Sequence, residues 1–259
     1  MREDRDRRNL ERLEHRRLAM NARLDRMREH INQKFDEKES QLGTGQRLND
    51  KQEQIITAAL RLLDAEGLNN VSLRKLANML HVQAPALYWH FRNKEVLIDY
   101  MAEAILAQEF TDLQARTGEE PWQDWLMNAC KRLRKAMLAH RDGARIVAGA
   151  HLFPAVTLLK FIEVAQESLV NGGVDERHAD LVVSTALHFT FGRVIEEQSA
   201  PTVEQIEALD VADLAREYPR LASSIRRTLQ DLAAGYDEFD SALRLIVGNA
   251  EHAAPPVRD

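Results

Sequence analysis

The stretch Val71–Lys94 reads VSLRKLANMLHVQAPALYWHFRNK, and the reading of the fold starts here. Leu73, Leu76, Ala77 and Leu80 recur at helical spacing, and Ser72 stands in front of them as a side-chain acceptor for the first turn. Pro85 predicts the first turn of a second short helix, where a missing N–H costs nothing. Leu87 and Phe91 are its inward anchors. Between them Tyr88, Trp89 and His90 form a row of polar-tipped aromatics. Such a row suits a groove better than a core. The pattern predicts a helix-turn-helix whose second helix enters the DNA major groove.

Working outward, residues 50–66 form an amphipathic helix with Ile55, Ile56, Ala59, Leu60, Leu62 and Leu63 inward. Asn49 or Asp50 can cap it, and Gly67 stops it. Asn93 predicts the cap of a fourth helix running from Lys94 to about Gln114. Beyond Pro121 the chain reads as helices over 121–139, 144–153, 155–171, 176–199 and 222–250. The breaks fall at glycines and prolines. Only 11 Gly and 7 Pro among 259 residues, with 44% hydrophobic residues, fit an all-α protein with a substantial core. No strand alternation and no internal repeat stand out.

The bulk numbers exclude several classes. No run of 18 apolar residues occurs, so no membrane partner is expected. The charged N-terminus lacks the apolar stretch of a signal peptide. A single cysteine, Cys130, rules out an intramolecular disulfide and fits a reducing cytosol. No Gly-rich phosphate loop, HExxH or GxSxG motif is present, so the chain is not read as an enzyme. The net charge of −6 is unevenly spread: residues 1–45 carry +2, residues 46–100 carry +1 and residues 101–259 carry −9. A mildly basic head on an acidic body is compatible with DNA binding.

DNA affinity comes mostly from phosphate contacts and sequence choice from base edges. Lys94, at the start of the fourth helix, is the expected phosphate cation. Tyr88 and His90 can donate to neighbouring phosphates. Trp89 can lie against the sugar-phosphate wall or a thymine methyl. Arg74 can reach a guanine, and Gln83 joins it in hydrogen-bonded readout. Ala84, Pro85 and Ala86, at the leading edge of the recognition helix, read shape and methyl groups.

Residues 1–45 form a charged segment ahead of this head. Leu10, Leu13, Met20, Leu24, Met27 and Ile31 fall at heptad a and d spacing if Arg17 takes an a position. Ten arginines lie before residue 29. Three readings stand: a solvated helix, a short interchain coiled coil, and a basic arm on DNA. The domain expectation is an extension over 1–45, a DNA-binding head over 46–98, a ligand-binding and dimerisation body over 99–250, and a flexible tail over 251–259.

The segment 48–105, with SLRKLA at 72–77 and APALYWHFRNKEVL at 84–97, resembles the DNA-binding domain of the TetR family of bacterial repressors. The likeness continues through WQDWL at 122–126, LAHRDGARI at 138–146 and LHFTFGRVIEEQ at 187–198, and is similar to the tetracycline-repressor-like subgroup. The resemblance implies a ligand-responsive repressor that binds a palindromic operator as a homodimer, with a four-helix bundle built from 176–199 and 222–250 of each subunit. It implies an effector tunnel in each body, at positions held here by Phe110, Ala129, Leu133, Val147, Ala150, His151, His188 and Glu196. The family's metal-ligating histidine is replaced by Val147, which cannot coordinate Mg²⁺. With apolar residues at the neighbouring positions, this points to a hydrophobic effector, no metal and no cofactor. The alternative function is an interaction protein driven by a coiled coil at 1–42, with the helix-turn-helix as a secondary module.

Overall fold

In the computed structural model, the described residues are 49–151, 155–199, 215–234 and 238–248. The extension over 1–45, with its coiled-coil register, and the tail over 251–259 lie outside them. Every regular element among the described residues is helical, and the all-α expectation holds. None of these helices is long and apolar enough to cross a membrane.

The head begins with α1, Asp50–Glu66, which buries Ile55, Ile56, Ala58, Ala59, Leu60, Leu62 and Leu63. These occupy the 3–4 spacing that one face of a helix requires. Gly67 ends it at φ 80°, in the left-handed region that glycine enters without penalty, and its N–H bonds the Leu63 carbonyl. A 3-10 turn, Leu68–Asn70, leads to α2, Leu73–Met79, where the Ser72 hydroxyl accepts the Lys75 N–H at 3.3 Å. The recognition helix α3, Ala84–His90, carries Pro85 in its first turn and buries Leu87. The turn between α2 and α3 places His81 at φ 54°. A side chain with a Cβ is disfavoured there by about 1–2 kcal/mol. His81→Gly is therefore expected to raise stability by about 0.5 kcal/mol, after the loss from glycine's greater freedom in the unfolded chain. Urea unfolding checks this; a lower midpoint contradicts it.

Asn93 caps α4, Lys94–Glu109, through Oδ1 on the Val96 N–H at 2.9 Å. The helix ends five residues before the expected Gln114. Phe110 turns into the core, edge-on to Phe161 with ring centroids 5.5 Å apart. The Arg132 guanidinium takes the Glu109 carbonyl that a continuing helix would use. The body continues with α5 Trp122–Leu138, α6 Gly143–Gly149, α7 Val156–Val170 and α8 Glu176–Gln198. Helix α6 stops at Gly149, not at residue 153. The side chains of Met101, Leu126, Leu133, Met137, Ile146 and Phe161, contributed by α4–α7, are fully buried.

The single helix expected over 222–250 is two helices, α9 Pro219–Ala233 and α10 Glu238–Gly248. The reason is tertiary. Thr228 Oγ1 donates to Glu238 Oε1 at 2.9 Å, and Arg193 of α8 reaches the same carboxylate. Ten residues of straight helix would separate Thr228 and Glu238 by about 15 Å. The two helices therefore do not continue as one straight helix. Phe239 is then buried, stacked on Phe189 and faced by the Arg134 guanidinium at 5.0 Å.

Candidate nucleic-acid interface and effector core

Helix α3 divides its residues sharply between inside and outside. Leu87 is buried on one side, with Leu76 of α2 and Phe91 just beyond the helix end. On the other, Tyr88 is 50% exposed and Trp89 is 90% exposed. An indole gains nothing from water, so a tryptophan held that far out without a core role marks a contact surface. Arg74, Gln83, Pro85 and Ala86 are exposed, and Ala84 and His90 are half-buried. The predicted reading residues therefore lie along α2, the turn and α3. Arg92, also exposed and two residues before Lys94, was passed over in the sequence. It carries no periodic signal.

Lys94 is placed differently from the expectation of a free phosphate cation. Its Nζ donates to the Leu68 carbonyl at 3.0 Å, and the side chain is half-buried. That carbonyl also accepts the Val71 N–H at 3.2 Å, and the ammonium at the start of α4 occupies its second acceptor position. Lys94 thus fastens the head's own turn to α4.

In the body, four of the expected effector positions are buried: Phe110 at the end of α4, Ala129 and Leu133 one turn apart on α5, and Val147 on α6. The Arg132 guanidinium lies 5.0 Å from the Phe110 ring centroid. Ala150 is half-buried. The other three expected positions are exposed in the single chain. His151 is exposed, and its ring Nδ1 lies 3.2 Å from a carboxylate oxygen of Asp99 while its backbone N–H donates to Asp99 Oδ1 at 2.9 Å. His188 and Glu196 are also exposed. They sit two turns apart on the outer stripe of α8, because Ala186, Leu187, Thr190 and Val194 take its buried stripe. Asp99 is the residue that sequence reading missed: a carboxylate only 5% exposed in the middle of α4. Its neighbour one turn on, Glu103, accepts both the Thr157 N–H and its hydroxyl at 2.8 Å. That carboxylate caps α7 from another helix.

Among the described residues no group of three or more His, Cys, Asp or Glu is placed to hold a metal ion. Burial pushes the Cys130 thiol up to about 12, against a smaller opposing effect of its hydrogen bond with Thr190. The thiol therefore stays protonated and is no nucleophile near neutral pH.

Residues 55–101 match the family model for bacterial regulatory proteins of the tetR family. Residues 115–249 match that for the tetracyclin repressor-like C-terminal domain. The chain belongs to the TetR family. Within it, the protein is similar to the class E tetracycline repressor of Escherichia coli, 39% identical over 158 residues that cover 61% of this chain and 74% of that one. Its fold is similar to a possible TetR family transcriptional regulator from Streptomyces coelicolor A3(2), with TM-score 0.67 and 33% identity over 78% of this chain and 100% of that one. A TetR variant from Acinetobacter baumannii AYE in complex with minocycline gives TM-score 0.58 and 30% identity, covering 80% and 99%. The protein is thus a tetracycline-repressor-like member of the TetR family. It is a DNA-binding, ligand-binding transcriptional repressor and not an enzyme.

Proposed function

We propose that this TetR protein is a homodimeric repressor of the bacterial cytosol that holds a palindromic operator through α2 and α3 and lets go when an apolar, metal-free effector enters the body. The observation that carries the DNA half is the 90% exposure of Trp89 beside the half-exposed Tyr88. In this reading Arg74 and Gln83 read base edges, Ala84, Pro85 and Ala86 read shape, and Tyr88, Trp89 and His90 meet the backbone wall. Lys94 contributes by holding the turn, and Arg92 offers a phosphate contact.

The effector half rests on Val147. It is fully buried where the family's resemblance puts a metal ligand, and its isopropyl group cannot coordinate. Phe110, Ala129 and Leu133 add apolar and aromatic wall, with Ala150 and the Asp99–His151 pair at one end. The dimer uses α8 with α9 and α10 of each subunit. Leu181 and Leu245 stand 57% and 69% exposed on α8 and α10, and His188 and Glu196 then face the partner. Two heads on such a two-fold dimer sit about 34–36 Å apart, one helical turn of DNA. Residues 46–98 act as head and 99–250 as body, and the extension over 1–45 is a solvated helix, an interchain coiled coil or a basic arm.

Fluorescence anisotropy on palindromic duplexes tests this. Two chains are expected per duplex, and affinity should fall by about 10³-fold or more between 50 and 200 mM salt if some six phosphates are neutralised. EDTA should change neither DNA binding nor its release by apolar ligands. Binding that ignores salt, or release that requires Mg²⁺, contradicts the proposal.

A further inference from the structure

Helix α2 ends in a Schellman motif that suits glycine and holds histidine. The Val82 N–H donates to the Ala77 carbonyl at 3.0 Å, and the His81 N–H to the Asn78 carbonyl at 3.2 Å. Those two bonds put His81 just past the C-cap, where the backbone must turn left-handed, and its φ is 54°. Glycine takes that conformation without penalty, and asparagine more readily than most residues. Histidine enters it at a cost. Nothing among the described residues offsets that cost. His81 is exposed, and its imidazole has no hydrogen-bond or ion-pair partner there. Residues held in such conformations cluster where the chain has a binding task.

The surroundings identify the ligand's charge. From Val71 to Lys94 the chain has no Asp or Glu. The charged and titratable groups on the two helices that the turn joins are Arg74 and Lys75 of α2 and Tyr88 and His90 of α3. Lys75 is paired with Glu66 of α1. The turn thus carries no anion that would oppose a phosphate. Histidine is the side chain that changes charge between about pH 5 and 8, and in its charged form both ring nitrogens donate.

We propose that His81 is a further DNA-contacting residue: its imidazolium donates to an operator phosphate beside Gln83, at the expense of the turn's own stability. The inference rests on the reading that α2 and α3 face the duplex. Each head supplies one such contact, so a dimer supplies two. A phosphate contact adds affinity without adding sequence choice. It also makes affinity rise as pH falls, because the ring then gains its charge. Stability and affinity therefore pull in opposite directions at this one position.

The full chain, His81→Gly and His81→Asn are titrated by fluorescence anisotropy against a palindromic duplex and a mixed-sequence duplex of equal length, at about pH 6 and about pH 8. His81→Asn tolerates the left-handed backbone and removes only the ring, and His90 stays in both variants. At the lower pH both variants should bind both duplexes about tenfold more weakly than the parent, and the slope of log affinity on log salt should be smaller by about two. At the higher pH the difference should shrink to about twofold or less. Urea midpoints should hold level in His81→Asn and rise in His81→Gly, so that the loss is not unfolding. A loss confined to the palindrome would make the ring a base reader and overturn the phosphate assignment. Trp89→Ala separates this inference from the reading beneath it. If Trp89→Ala loses binding while the His81 variants match the parent at both pH values, the inference is overturned and the α2–α3 reading stands. If Trp89→Ala binds as the parent does, that reading fails and the inference with it.

Discussion

Trp89→Ala is expected to weaken operator binding about 30-fold while leaving the thermal midpoint within about 2 °C of the parent. The size follows from truncating a large aromatic at the centre of an interface, which costs about 2 kcal/mol or more. The silence in stability follows from the 90% exposure of the side chain. Almost no apolar area is withdrawn from water there when the chain folds, and surface substitutions of this kind stay within about 0.5 kcal/mol. Trp89→Phe should fall between the two, retaining stacking but losing the indole N–H. Anisotropy and calorimetry on the same samples decide it. A variant that binds DNA normally, or one that binds poorly because it has unfolded, contradicts the assignment.

Two residues further on, Phe91→Ala should do the reverse. Phe91 is fully buried and packs edge-on to Tyr100, with centroids 5.6 Å apart and ring planes at 74°. Its ring joins the end of the recognition helix to α4. Removing it leaves a cavity in a core that cannot close fully, at a cost of about 3–5 kcal/mol. For a chain of this size the midpoint should fall by roughly 6–20 °C. Operator binding should be lost only in proportion to the unfolded fraction. Phe91→Leu should recover most of the loss. An unchanged midpoint would mean that the head is not held to the body through this ring.

The contrast between these neighbours was readable in the sequence. Leu76, Leu87 and Phe91 keep a helical repeat, and Tyr88, Trp89 and His90 interrupt it with residues too polar for the same face. Ser72, Pro85 and Asn93 marked the helix starts by local side-chain chemistry: the Ser72 and Asn93 caps formed, and Pro85 stands in the first turn of α3. What could not be read depends on partners far along the chain. Helix α4 ends at Glu109 because of Arg132, and the α9–α10 break is held by Thr228, Arg193 and Glu238. Lys94 turns to a main-chain oxygen 26 residues earlier, a partner with no side-chain signature.

Helix α8 is a different case. Leu181, Val182, Val183, Leu187, Phe189, Phe191, Val194 and Ile195 put apolar residues on nearly every side of it. A single stripe cannot be picked out when apolar residues lie on nearly every side. The resemblance placed His188 and Glu196 in an effector site without saying which way they face, and within one chain they face out. Asp99 was hidden for the opposite reason. One acid on an otherwise apolar face looks like a solvated residue until His151 is found against it.

The account turns on whether the exposed face of α3 meets duplex DNA. The protein has three tryptophans, of which Trp122 is buried, Trp125 is half-buried and Trp89 is almost wholly exposed. Iodide quenching of tryptophan emission therefore reports mainly on Trp89 in the free protein. On titration with a palindromic duplex, the iodide-accessible fraction should disappear and saturate at one duplex per two chains. Emission that stays accessible to iodide while the duplex is bound would show that DNA sits elsewhere.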